Sequence, residues 1–180
     1  MDKIVKISAI GAKREKFAVE KLFKTNYSST MNYWLMKTEP DTFSIEDLKN
    51  KKISDWDGVR NYQARNFIRD DMRNGDRVLI YHSSCKNVGV AGIAEVIKES
   101  HPDYTCWDES SDYYDPKSTK EDPRWFMVTV KWIETFDRII PLTEIKTNKQ
   151  LQGMLLIKKG NRLSITPVKK SEYDLILKLV

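Results

Sequence analysis

A chain of 180 residues and 21.1 kDa has the length of one ordinary domain, and its 40% hydrophobic and 32% charged residues exclude a disordered or fibrous polymer. No apolar run approaches the ~18 residues of a membrane span, and two cysteines, Cys85 and Cys106, exclude a disulfide framework, so a reducing interior is expected, cytoplasmic or, in a eukaryote, nuclear. The net charge of +5 and pI near 9.0 favour a nucleic-acid partner, yet residues 1–30 hold seven basic against three acidic side chains and the rest 24 against 23, so any such site is a local patch.

The first thirty residues differ in texture from the rest of the chain. Ala9 to Phe23 is compatible with an amphipathic basic helix, and Asn26 to Thr30 reads as a polar connector. The expected organisation is therefore a basic, peripheral N-terminal extension over 1–30 and one domain over 31–180. Its acidic residues and weak apolar centre argue against a targeting signal.

Tyr33 to Glu39 is rich in strand formers and stops at Pro40, which predicts a first strand. Ser44-Ile-Glu-Asp47 resembles a capping box and opens a short helix through Leu48. A second helix is predicted from about Asn61 to Asn74, with Ala64, Phe67, Ile68 and Met72 as its buried stripe and Gly75 as its terminator. Asp76–Ser84 and Val88–Ile97 read as a hairpin, with Gly89 and Gly92 marking a close backbone approach or a bulge. His101 to Arg124 is a long polar loop. The alternation from Phe126 to Ile133 predicts a half-buried strand. Leu142–Lys146 and Ser171–Leu179 look helical, and Leu151–Ile157 and Arg162–Ile165 are further strand candidates, the first alternatively a turn of helix. Strands predominate without βαβ alternation, so an α+β, barrel-like mixed sheet with helices at its rim is expected.

Catalytic signatures are missing. There is no G-x-G-x-x-G, no Walker loop and no G-x-S-x-G elbow. Asp103, Asp108, Glu109, Asp112 and Asp115 crowd the long loop; as carboxylates they suit acid/base work or Mg²⁺, but a solvated loop is the simpler reading. His82-x2-Cys85 and His101-x4-Cys106 approach zinc spacing, but the second pair falls in an irregular loop, so no metal and no cofactor are expected.

Trp56-Asp-Gly-Val-Arg-Asn-Tyr62 is the densest functional segment. It joins flat aromatic faces to donors for a base edge or a phosphate. Lys37-Thr-Glu-Pro40, Tyr81-His-Ser83 and Tyr113-Tyr-Asp-Pro-Lys-Ser118 place aromatics and polar hooks at strand ends or in loops, where a pocket mouth is built. Arg65, Arg69 and Arg73 recur on the second helix, more simply a solvated face pairing with Asp70 than a phosphate track.

The segments Trp34 to Leu48, Trp56 to Asn66 and Gly75 to Ser83 resemble, in order, the motifs of the EVE domain family, closest to its thymocyte nuclear protein branch and bacterial relatives. Val90 to Val96, Tyr113 to Ser118, Pro123 to Trp125 and Arg162 to Ile165 continue the match, so the resemblance covers residue 32 to about 178. It implies a PUA-like open β-barrel with flanking helices, related to the YTH readers of methylated adenine. It also implies a pocket for a flipped, modified base such as a methylated or hydroxymethylated cytosine.

The leading expectation is thus a monomeric, non-enzymatic reader of a modified base in DNA or RNA, with no membrane partner. The alternatives are an accessory or interaction module of a nucleic-acid-processing enzyme, and an enzyme using the acidic loop. Trp34, Lys37, Trp56, Val59, Arg60, Asn61, Tyr81, His82, Ser83 and Tyr114 are expected around one pocket. Trp56 would stack on the base, Asn61 and Ser83 would read its edge, and Lys37 and Arg60 would hold flanking phosphates.

Overall fold

The computed structural model describes residues 31–180, so the expected N-terminal extension lies outside the described residues. Six strands form one open mixed sheet: β1 (Tyr33–Thr38), β2 (Ile53–Trp56), β3 (Arg77–His82), β4 (Gly89–Pro102), β5 (Phe126–Pro141) and β6 (Ile165–Val168). Their spatial order is β2-β5-β4-β3-β1-β6, with β1 and β3 parallel and every other neighbouring pair antiparallel. The helices are α1 (Ile45–Lys51), α2 (Tyr62–Asn66), α3 (Leu142–Thr147) and α4 (Lys170–Leu177). This is the mixed sheet with flanking helices that the strand-rich pattern led us to expect. None of the described helices is long and apolar enough to cross a membrane.

The period of two along the central strands explains the two cores. Trp34 and Met36 of β1, with Val78 and Ile80 of β3, join one cluster with Ile45, Leu48, Trp56, Ala64, Ile68 and Met72. Leu35, Leu79 and Tyr81 point the other way and join a second cluster with Ile145, Leu151, Met154, Tyr173 and Ile176. The sheet is therefore covered on both faces, and the strand from Phe126 is not half-buried as expected: Met127, Val128, Thr129 and Val130 are all buried.

Several boundaries differ from those read in the sequence. β5 runs eight residues beyond Ile133, because its polar far half still pairs with β4 through Glu134, Thr135 and Ile140. Glycines make this possible: a Cβ on Gly89 or Gly92 would collide with the β5 carbonyl of Ile140 or Glu134. The second helix stops at Asp71 rather than Asn74. After α2 it widens into a π turn over Phe67–Asp71, and the buried Asp76 carboxylate draws the Arg73 N–H out of helical register. Leu151–Ile157 takes the helical-turn alternative rather than a strand. Leu151 and Met154 are both buried three residues apart, the period of the 3₁₀ turns at Lys149–Leu151 and Leu155–Ile157. The last strand begins at Ile165, because the Asn161 side chain accepts the Leu163 N–H and holds the preceding residues in a turn.

α1 starts as the sequence indicated. The Ser44 hydroxyl accepts the Asp47 N–H, and the Asp47 carboxylate accepts the Ser44 N–H. Its first residue is also tied to β3, since the Ile45 N–H donates to His82 Nε2 at 3.1 Å. That bond needs a neutral imidazole, and burial lowers the His82 pKa. An unfolded His82 takes a proton first, so stability is present above its ordinary range, near pH 6.5, and declines as pH falls from there. Urea melts of the wild type are expected to lose stability between pH 7.5 and 5.5 at no more than about 1.4 kcal/mol per pH unit from this group. His82→Gln, which accepts without titrating, should lose less over the same interval.

Candidate nucleobase site

The site begins where β2 ends. Asp57 and Gly58 turn the chain out of the sheet, with Gly58 at φ +73°, and Asn61 caps α2 by accepting the Gln63 and Ala64 N–H groups on Oδ1. A side chain on Gly58 has no room: its Cβ would lie 2.6 Å from the Tyr113 ring. The Gly58 N–H donates at 2.9 Å to Asp103, a fully buried carboxylate at the end of β4.

Arg60 joins this turn to the long loop. Nη1 donates to Asp103 Oδ2 at 2.7 Å and to the Val59 carbonyl, Nη2 to Thr105 Oγ1 and the Tyr113 carbonyl, and Nε again to Tyr113. All five guanidinium donors are engaged. The guanidinium also lies 5.3 Å from the centroids of both Tyr113 and Trp125. Trp125 stacks on Tyr62, and its Nε1 donates to Asp115 at 2.7 Å. Burial pushes the Asp103 carboxyl up, but hydrogen bonds from Arg60, Thr105 and the Gly58 N–H together with the Arg60 charge outweigh it and hold the pKa below the ordinary value.

Between this turn, the end of β1 and Tyr113 lies a cavity of about 730 Å³, within the range of small-molecule sites. Phe43, Trp56 and Tyr113 supply its aromatic surface. Trp56 is only 8% exposed and meets Phe43 edge-on at 6.1 Å, so it forms a fixed wall, whereas Tyr113 is 40% exposed. Lys37, Lys51 and Arg162 face Glu39, Asp55 and Asp57 across the same space. Desolvation lowers the Lys37 pKa. Burial, reinforced by Asp103 and Asp55 and opposed by Arg60 and Lys51, raises that of Asp57. Among the described residues Asp57 has no side-chain hydrogen-bond partner. Its carboxyl is a free acceptor on the cavity wall.

Of the ten expected residues, Lys37, Trp56, Val59, Arg60, Asn61 and Ser83 line this cavity. Trp34 does not: it is buried in the first cluster, with Nε1 donating to Asp76 Oδ2 at 2.8 Å. Tyr81 falls in the second cluster by strand parity, and burial raises its pKa to about 12. His82 is buried and spent on the Ile45 N–H. Tyr114 is exposed beside the cavity's rim residue, and its neighbour Tyr113 takes the place in the lining. One expected role also changes: Arg60 has no donor left for a phosphate. The Asn61 oxygen is taken by the Gln63 and Ala64 N–H groups, which leaves its amide nitrogen for a ligand.

Phe43, Asp57, Tyr113 and Arg162 were missed as site residues although each lies inside one of the family-like segments. Nothing in an irregular Tyr-Tyr pair distinguishes the inward ring from its neighbour. Three of the acidic loop residues are spent on structural bonds: Asp103 binds Arg60 across to the turn after β2, while Asp108 accepts from Ser110 and Asp115 from Trp125 within the loop. Cys106 is buried and donates to Ser118, and among the described residues no three His, Cys, Asp or Glu side chains cluster as a metal site.

The chain matches the EVE domain model over residues 32–179. It is 43% identical over 176 residues to thymocyte nuclear protein 1 of Mus musculus, covering 87% of this chain and 77% of that protein. A hypothetical protein from Leishmania major superposes with a TM-score of 0.80 at 50% identity, over 83% of this chain and 94% of the other. The human THYN1 protein in complex with 5-methylcytosine-containing DNA superposes with a TM-score of 0.77 at 42% identity, over 82% and 96% of the two chains.

Removing Arg60 strands a buried carboxylate. Arg60→Ala is expected to cost about 3–5 kcal/mol in equilibrium urea unfolding, and Arg60→Lys, with three donors in place of five, to recover only part of it. A depressed Asp103 contributes stability present above the ordinary carboxylate range and lost as pH falls through its folded value. Asp103→Asn should therefore flatten the acid limb of the stability profile.

Proposed function

The chain belongs to the EVE domain family, and on that premise we propose that it is a non-enzymatic reader of a modified base in DNA, with 5-methylcytosine the modification to test first. The observation that carries this reading is a cavity of about 730 Å³ that combines aromatic walls with unspent hydrogen-bonding groups. Its relative in complex with 5-methylcytosine-containing DNA supports the same ligand class. Extruding a base from a duplex costs a few kcal/mol, and stacking with edge hydrogen bonds offsets it.

In this reading the exposed Tyr113 ring stacks on the base, against the fixed wall of Trp56 and Phe43. Asp57 accepts from the exocyclic amine that distinguishes cytosine, the pairing that carboxylates favour. The Asn61 amide nitrogen donates to the edge, the Ser83 oxygen, whose own proton goes to the Thr38 carbonyl, is a further acceptor, and the Lys37 ammonium meets a neighbouring phosphate. The engagement of Asp103 by Arg60 and Gly58, and of Asp108 and Asp115 within their own loop, supports binding rather than turnover. A DNA reader works where DNA is, the nucleus in a eukaryote and the cytoplasm in a bacterium, and one domain over 31–180 suffices as a monomer.

Anisotropy titrations with duplexes carrying one 5-methylcytosine or one cytosine test this directly. Wild type should prefer the methylated duplex, and equal affinity for both would overturn the reading. Tyr113→Ala keeps the backbone carbonyl that binds Arg60 and should cost about 1–3 kcal/mol of binding. Because the Asp57 pKa is raised and its ionised form is the stronger acceptor, affinity should rise as pH climbs from the ordinary carboxylate range toward neutrality. Asp57→Asn should flatten that rise.

A further inference from the structure

A second concavity, about 430 Å³, adjoins the base cavity and shares Asn61 and Arg162 with it. Its far side is the loop Lys158-Lys-Gly-Asn-Arg162, and Gln63 on α2 faces it across the groove. Three cations line it and no carboxylate does, in contrast to the mixed charge of the base cavity. Among the described residues none of the three forms an ion pair, whereas Arg69, Arg77 and Arg138 elsewhere on the surface each hold an acidic partner.

The loop is also fixed in place. Asn161 Nδ2 donates to the Leu155 carbonyl at 2.7 Å, Asn161 Oδ1 accepts the Leu163 N–H at 3.0 Å, and the Asn161 N–H closes a turn on Lys158. Gly160, at φ +84°, completes the bend. Ordering a cationic loop before its ligand arrives removes part of the entropy cost of binding. An unpaired, uniformly positive groove beside a base pocket matches one chemistry best: the phosphodiesters of the strand from which the base is drawn.

We propose that the groove between α2 and the Lys158–Arg162 loop holds the sugar–phosphate backbone flanking the extruded base. The proposal rests on the base-reading function above. It divides the labour: the first cavity discriminates among bases, and the groove supplies affinity for any sequence.

Lys158 and Lys159 are exposed and outside the base cavity, so Lys158→Gln/Lys159→Gln leaves that cavity intact. Binding of methylated and unmethylated duplexes is measured between 50 and 200 mM salt for wild type, this variant and Lys158→Arg/Lys159→Arg. The Gln variant should weaken both duplexes by the same factor and make the log–log salt slope shallower by about 1–2, with the methylation preference unchanged. The Arg variant should keep the wild-type slope. An unchanged slope in the Gln variant overturns the groove, while the wild-type preference still reports separately on base reading. Wild type without a preference, but with a slope that the Gln variant flattens, overturns base reading and supports the groove. No binding of either duplex overturns both.

Discussion

Asp103 has no exposed side-chain surface, and an ionised carboxylate in that position is tolerable only because Arg60, Thr105 and the Gly58 N–H surround it. The same guanidinium reaches two carbonyl bonds on Tyr113 and lies beside the Tyr113 and Trp125 rings. One charge pair therefore joins two segments far apart in sequence: the turn after β2, and the long loop that leaves β4 at Asp103 and carries Tyr113. The wall positions of Val59, Asn61 and Tyr113 depend on it. The cost of burying the pair is met locally, by hydrogen bonds that leave neither partner short.

The sheet decides which aromatics are available to a ligand. Because successive residues of β1 and β3 face opposite cores, Tyr81 cannot share one site with Trp56 without a register shift, while Trp34, on the same face as Trp56, is spent inside the core with its Nε1 on Asp76. Helices cover both faces, and the cavity opens beyond the strand ends, where Lys37, Trp56 and Ser83 emerge beside an irregular loop. That loop carries a structural core of its own, through the Asp115–Trp125 and Cys106–Ser118 hydrogen bonds. A loop so anchored presents Tyr113 at a set position instead of leaving the cavity to close around each ligand.

Local chemistry was legible in the sequence wherever a single residue type suffices. The Ser44–Asp47 box, the Asn61 cap, the Gly89 and Gly92 close approaches and the buried stripe of α2 all obey steric or hydrogen-bonding rules that act over a few residues. β2 was not legible, since four residues with an exposed Ile53 carry no alternation and exist as a strand only through pairing with β5. The far half of β5 was hidden for the same reason. At the site, Trp56, Arg60 and Asn61 stood out as a motif, but the occupation of the Arg60 donors by Asp103 and Tyr113 is a long-range fact. The partners lie 43 and 53 residues from Arg60, and no local rule connects them.

Charge is distributed in a way that composition conceals. Residues 31–180 are almost neutral, yet the base cavity sets Lys37, Lys51 and Arg162 against Glu39, Asp55 and Asp57, whereas the neighbouring groove is uniformly positive. A mixed cavity of this kind gives little net attraction to a polyanion, because its fields cancel within a few ångströms, but it penalises a ligand whose donors and acceptors are misplaced. A one-signed groove does the reverse, attracting phosphate at a distance without regard to sequence. On the proposed reading, the two sites side by side, joined at Asn61 and Arg162, divide attraction of a strand from inspection of a base. A nearly neutral domain would then bind nucleic acid without the strong salt-sensitive coating that a uniformly basic surface would entail.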